Sequence, residues 1–382
     1  MNIKDFGKLA AGSISEITPF WGGKHCFDPE PLPPAWEFPT ELWPLLNEAV
    51  AQLMLLEGVG RSLPNPTILL GPMRDREAIL SSRMEGTFAT PQQLLLYELE
   101  PIEASTESDP RNQFREVANY VKALEHADSS SLPTGLLLIR QMHERLLDGV
   151  RGENKEPGRF RRQQVAIGSD ARFVPPPPER LTDFLDELDA YLAAEDRRFH
   201  PLVVCFLIHY QFETIHPFSD GNGRVGRLLL THMIKQQCSL TMPWLHMSEY
   251  FSRDHGGYCN YLYRVSCSGE WQNWIEYCLQ GVVRLAGEAV LRCDRLRRLR
   301  DEHFERLSKT RGAVRLHGIV EGLYQTPVVT IASLPEAYQV TYPTAKADVE
   351  KLVKLEILSE WPDKHPKTYY APEIFDIAYE GL

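Results

Sequence analysis

Residues 201–213, PLVVCFLIHYQFE, are apolar nearly all the way round a helix, and this stretch constrains the fold more than any other in the chain. A helix without a polar stripe has to be buried on every side, so it needs a jacket of other helices. Three segments supply one. RNQFREVANYVKALEHA (111–127), PTGLLLIRQMHERLLDGV (133–150) and ERLTDFLDELDAYLAA (179–194) repeat apolar residues three and four apart, as helices with one buried face do. At 382 residues the chain exceeds one ordinary core, and two or three domains are expected. The fold class expected is mainly α.

The flanks are less regular. Residues 1–70 carry the proline-rich stretches DPEPLPPAWEFP and SLPNPTILLGP around one helical pattern, which reads as an extended wrap plus a single helix. From Met73, PMRDREAILSSRMEGTFAT turns helical, with Ile79, Leu80 and Met84 on one side and a stop at Gly86. RRQQVAIGSDARFVPPPP (161–178) reads as a β-hairpin turning at GSD and ending stiffly in four prolines. Further on, Trp271 and Trp274 lie three apart on a helix and read as core, and the basic LRCDRLRRLRDEHFERLSKTR reads as a long exposed helix. From Ala313 the order helix, strand, helix, helix, two-stranded ribbon is that of a small α+β winged helix-turn-helix. The divisions expected are therefore 1–110 (wrap and following helix), 111–285 (helical core), 286–312 (linker) and 313–382 (tail).

Charge and cysteine content narrow the function classes. The 41 basic and 52 acidic side chains leave a net −11, which argues against a nucleic-acid footprint over the whole chain. Residues 313–382 alone hold six Lys/Arg against ten Asp/Glu, so protein docking or dimerisation is favoured over DNA binding for the tail. The seven cysteines form no CxxC pair, which suggests neither a zinc site nor a disulfide framework and points to a reducing, cytoplasmic setting. No run approaches the roughly eighteen apolar residues of a membrane helix. His25, His209 and His246 lack metal-ligand spacing and read as packing or surface residues.

The chemistry concentrates in TIHPFSDGNGRVGR (214–227). Pro217 pushes His216 out of helical geometry and ends the buried helix there. Val225, Leu228, Leu229 and Met233 begin a new helix, so Gly221 and Gly223 fall at its N-terminus, where free N–H groups and the helix dipole make an anion site. Arg224 and Arg227, three apart, suit a polyphosphate. Asp220 is a single carboxylate of the kind that holds Mg²⁺ beside phosphate oxygens. His216 can act as general base toward an incoming hydroxyl. A His-Pro followed by a Gly-Asn-Gly turn is by itself ordinary turn chemistry; the joint occurrence of base, metal ligand, anion nest and two arginines is what favours hydroxyl attack on a phosphorus of a Mg²⁺-bound nucleotide.

HPFSDGNGRVGR fits the Fic motif HxFx[D/E]GNGRxxR at His216, Phe218, Asp220, Gly221, Asn222, Gly223, Arg224 and Arg227, and on it the chain resembles the Fic family. The resemblance implies transfer of AMP from ATP to a Ser, Thr or Tyr hydroxyl of a protein, the chain itself included, with release of pyrophosphate. It makes His216 the base, Asp220 the Mg²⁺ ligand, Phe218 a loop anchor, and Gly221 to Arg227, with Val225 and Gly226, the phosphate cradle. Gly223, where the kinase-like Doc branch has lysine, implies adenylyl rather than phosphoryl transfer. The hairpin resembles the family's target-binding flap, with backbone contacts from Val165 to Gly168 and with Ile167 and Gly168 near the nucleotide. YFSRDHGGYCNYL is similar to the segment whose paired tyrosines line the adenine pocket; Tyr258 fills the first position and Cys259 replaces the second. SSRMEG fits the family's inhibitory pattern [S/T]xxxE[G/N], which makes Ser81 and Glu85 part of an N-terminal brake, Glu85 pairing with Arg227 where the γ-phosphate belongs. A homodimer is compatible with the resemblance. Two alternatives stay open: an enzyme that also removes AMP from its targets, and a winged-helix transcriptional regulator whose nucleotide site is a sensor.

Overall fold

The protein is described by a computed structural model covering its 382 residues apart from 64, 102–105, 107–108, 150–155, 169, 196–197, 309–312 and 363. At its centre runs α7 (Pro201–Ile215), in which each side chain from Leu202 to Phe212 is buried. Proline at the first helical position needs no amide partner there, and the His200 ring accepts the Leu202 N–H. Around this axis pack α8 (Asn222–Gln237), α4 (Arg111–Ser129), α5 (Leu136–Leu146) and α6 (Leu181–Ala193), each turning an apolar stripe inward. The expectation of a mainly helical core with small β elements is met. The C-terminal limit of the segment read as 133–150 lies outside the described residues.

The N-terminal part departs from an extended wrap. β1 (Gly12–Phe20) and β2 (Gly23–Pro29) form an antiparallel hairpin in the register Gly12↔Pro29 to Glu16↔His25, closed at Phe20↔Gly23, with Cys26 and Phe27 buried. Its period-two alternation is short and precedes the prolines that dominate the segment. α1 (Trp43–Ser62) then lies along α11 (Trp271–Ser308). The next helix, α2 (Thr67–Met84), starts before Met73 and runs through Pro72. Tertiary packing outweighs the proline: Gly71 lies so close to the Gln325 carbonyl that a Cβ would sit 2.5 Å from its oxygen. α2 stops where expected, with Gly86 at φ +81 and the Glu85 and Thr87 amides both donating to the Ser82 carbonyl. α3 (Pro91–Leu99) follows with a Thr90/Gln93 capping box.

The expected hairpin at 161–178 reduces to one bridge, Ile167↔Phe173, with Ile167 N–H donating to the Phe173 carbonyl at 2.8 Å; Ser169 of its turn lies outside the described residues. α9 (Ser248–Arg253) packs on α2 and α10 (His255–Ser268) on α11. The exposed linker helix is also corrected. α11 is a single 38-residue helix whose second half buries Cys293, Leu296, Leu299, His303 and Leu307. That three-and-four spacing is an apolar stripe hidden among arginines, and Leu296, Leu299 and Leu307 belong to the tail's core with Leu316, Val349 and Leu352. The expected linker end at 312 lies outside the described residues. The tail comprises α12 (Ala313–Gln325), β3 (Val328–Thr330), α13 (Leu334–Tyr338), α14 (Tyr342–Lys354), β4 (Ser359–Glu360), β5 (Thr368–Tyr370) and α15 (Pro372–Ala378), with an antiparallel sheet in the order β3-β5-β4.

Candidate active site

α7 ends at Ile215 because His216, ahead of Pro217, takes a left-handed conformation (φ +53, ψ +62). Its Nδ1 lies 3.2 Å from the Glu213 carbonyl, which can only accept, so Nδ1 carries the proton and Nε2 keeps its lone pair. Burial pushes the imidazole pKa down to about 4, and the nearby Arg161 charge adds to that, so the ring is neutral at working pH.

The loop after it is pinned from three sides. Phe218 is fully buried and stacks on the His143 ring at 3.7 Å between centroids. Asn222 bridges the Phe218 backbone, its Oδ1 accepting the N–H and its Nδ2 donating to the carbonyl, both at 2.8 Å. His143 accepts the Gly158 N–H on Nδ1 and donates from Nε2 to the Asp220 carbonyl at 3.0 Å. Gly221, at φ +76, then turns the chain into α8, a left-handed step that glycine makes without strain.

Arg227, 2% exposed, donates from Nε to Ser81 Oγ (2.8 Å) and from one terminal nitrogen to the Ser81 carbonyl (3.0 Å) and Glu85 Oε1 (2.7 Å). Burial disfavours both charges of the pair; the mutual attraction outweighs it, holding Glu85 below and Arg227 above their ordinary pKa values. A Cβ on Gly223 would collide with Glu85 Oε1, so this carboxylate lies directly over the first turn of α8. The Glu85 side chain is 35% exposed and faces a cleft of about 390 Å³.

That cleft brings together Glu85, Ile167, Gly168, His216, Gly223, Arg227, Tyr258 and Cys259. Other predicted site residues do not line it. Asn222 is spent on the Phe218 loop, the Val225 side chain is buried, Gly226 packs against Glu213, and Ser81 is buried behind Arg227. Arg224 is paired with Glu116 on α4 at 3.3 Å, and Asp220 and Gly221 lie on the adjoining loop, the Gly221 N–H donating to Asp220 Oδ1 at 2.9 Å. Among the described residues no three His, Cys, Asp or Glu side chains gather as a metal cluster. A single carboxylate next to an anion nest nevertheless fits Mg²⁺, which keeps most of its waters and takes further ligands from phosphates.

Sequence reasoning missed several members. Glu213 lines the cleft, and burial pushes its carboxyl pKa up to about 7, with Glu85 adding to the rise and Arg227 opposing it. His209, read as a packing or surface residue, is buried; it donates from Nδ1 to the Gly226 carbonyl (3.1 Å) and accepts the Tyr258 hydroxyl on Nε2 (2.9 Å), joining α7, α8 and α10. The signal was available: His209 and Glu213 lie four apart on one face of α7, just ahead of His216. Glu116, His143 and Arg161 have no such signal, since their partners are remote in sequence.

The profile of the Fic/DOC family matches residues 134–234, and that of the Fic/DOC family N-terminal region matches 43–129. The chain is 38% identical over 97 residues to a protein adenylyltransferase Fic from Aedes aegypti, covering 25% of this chain and 18% of that protein. It is 37% identical over 116 residues to one from Drosophila mojavensis, covering 30% and 22%. The match thus spans less than a quarter of the length of these relatives. Among solved structures, a Fic family protein from Desulfovibrio desulfuricans superposes with a TM-score of 0.57 at 19% identity, over 88% of this chain and 97% of that one. A Fic-1 fragment from C. elegans superposes with a TM-score of 0.53 at 20% identity, over 66% and 73%. The site thus falls within segments similar to the Fic/DOC family: His216, Gly223 and Arg227 lie in the matched 134–234, and Glu85 lies in the matched 43–129.

Proposed function

We propose that the protein is an adenylyltransferase that moves AMP from ATP onto a protein hydroxyl and restrains itself through Glu85. The observation that carries this reading is the Glu85 carboxylate seated over Gly223 and paired with Arg227, in the same cleft as the neutral His216. An anion nest already filled by the chain's own carboxylate, beside a base, is what a braked phosphate-transfer site requires. Protein adenylyltransferase relatives support the choice of ATP and of a protein acceptor.

With Glu85 withdrawn, Arg227 and the first turn of α8 receive the β- and γ-phosphates. His216 Nε2 takes the proton of the acceptor hydroxyl, the hydroxyl oxygen bonds to the α-phosphorus, the bond from that phosphorus to the β-bridging oxygen breaks, and pyrophosphate leaves. Asp220 would hold Mg²⁺ together with the phosphates, and the bound ion would neutralise developing charge. The backbone at 165–168 lies across the cleft where an acceptor segment would pair. A side chain at position 223 would run into Glu85 and Arg227, so glycine is what lets the carboxylate, and phosphates in its place, lie against this turn.

The same ionised Glu85 beside His216 can align a water, so removal of AMP from modified targets is the second reading; comparing release of AMP by wild type and Glu85→Gly separates the two. We assign the tail, in its winged-helix reading, to protein docking because of its acidic balance. The central test uses ATP labelled at the α- or γ-phosphorus with Glu85→Gly protein. The expected result is stable α-label and no γ-label, abolished by His216→Ala. Retained γ-label, or α-label surviving His216→Ala, overturns the proposal.

A further inference from the structure

Arg161 is 3% exposed and forms no ion pair among the described residues. Such a charge is costly to bury without compensation. Here its hydrogen bonds among the described residues all go to backbone carbonyls, with the Glu179 charge adding a weaker attraction. Nε donates to the His216 carbonyl at 2.8 Å; one terminal nitrogen reaches the Pro176 carbonyl (2.5 Å) and the Ile215 carbonyl (3.4 Å), and the other the Gln163 carbonyl (3.2 Å). The Arg161 amide itself donates to the Pro217 carbonyl at 2.9 Å. One residue thereby grips three consecutive peptides, 215 to 217, around the left-handed His216, and also both stems of the 163–176 flap. No shorter or single-headed side chain can serve all these acceptors, whereas the five fixed donors of a guanidinium can.

We propose that Arg161 is the positioning residue that locks the target-binding flap to the catalytic histidine, so that a hydroxyl docked on the flap arrives at Nε2. This rests on the adenylyltransferase reading above. A left-handed non-glycine residue stays in place only where its surroundings over-determine it, and Arg161 supplies that constraint from the flap side. It also sets the charge around the base. The groups facing His216 are Arg161 from the flap stem, Glu85 from the end of α2, Asp220 from the loop and the Glu213 carbonyl from α7; Arg161 is the cation that opposes protonation of the ring.

The test compares Arg161→Lys, which keeps the charge and loses the fork, with Arg161→Met, which loses both. In Glu85→Gly protein with the His216→Ala chain as acceptor, both variants are expected to lower kcat by about 10- to 100-fold, as small misplacements do, with the KM for ATP nearly unchanged. The acid limb of the pH profile moves to higher pH in Arg161→Met alone. An NMR titration of His216, read without any turnover, shows the same upward shift in Arg161→Met. Unchanged kcat, or a fall in ATP binding that parallels the loss of rate with no shift of the His216 titration, overturns the proposal and leaves Arg161 a packing residue. Absence of labelling in Glu85→Gly itself contradicts the adenylyltransferase reading, while the titration still decides the coupling.

Discussion

Glu213 shows how one buried carboxyl records the state of the site. It lines the cleft with Oε1 buried and without a hydrogen-bond partner among the described residues, and burial raises its pKa to about 7. A carboxyl whose folded pKa exceeds its unfolded value adds stability that is complete below the unfolded pKa and is lost as pH rises through the folded one. Glu213→Gln is therefore expected to raise Tm relative to wild type more at pH 8.5 than at pH 5, in paired thermal melts. A pH-independent difference would show that the carboxyl ionises as it does in water. At this scale the motif was legible: His216, Gly223, Arg227 and Glu85 meet in one cleft. The supports were not, because His143 and Arg161 act on backbone groups 77 and 55 residues away, and such partners leave no local pattern.

Among elements, the most apolar helix was the easiest to place. α7 has no polar stripe, so burial on all sides was dictated before any tertiary contact was known. α11 was misjudged for the opposite reason: its arginines mask the stripe Leu296, Leu299, His303 and Leu307. Among the described residues the flap's backbone pairing is the Ile167↔Phe173 bridge, and its stems are further joined by Gln164 Nε2 donating to the Pro175 carbonyl and by the Arg161 fork. α2 is the element on which the proposed control would turn, since Ser81 near its end and Glu85 just beyond it meet Arg227, while its other end meets α12. Gly71 permits that second contact. Gly71→Ala is expected to destabilise the protein by about 1–3 kcal/mol through overpacking against the Gln325 backbone, measured by urea unfolding, and to raise basal labelling as α2 loosens. A stabilised variant with unchanged labelling would argue that the crossing is slack.

Across the whole molecule, the tail is fastened to α2, the helix that ends at Glu85. The Tyr379 hydroxyl donates to Asp75 Oδ2 at 2.7 Å, both residues being buried, and Arg76 donates to the Ala378 and Glu380 carbonyls at 3.4 and 2.9 Å. Neither partner set could be paired from sequence, as some 300 residues separate them. Tyr379→Phe leaves Asp75 short of a donor, a loss of about 1–3 kcal/mol. It is expected to lower Tm and to raise self-labelling several-fold, less than removal of Glu85 does. Equal labelling in both proteins would show that the tail does not bear on α2. The central claim is that a competent site is held off by one carboxylate, and the initial rate of self-labelling from α-labelled ATP measures it. Glu85→Gly is predicted to exceed wild type by more than about a hundredfold, the equivalent of a few kcal/mol; equal rates would contradict the account.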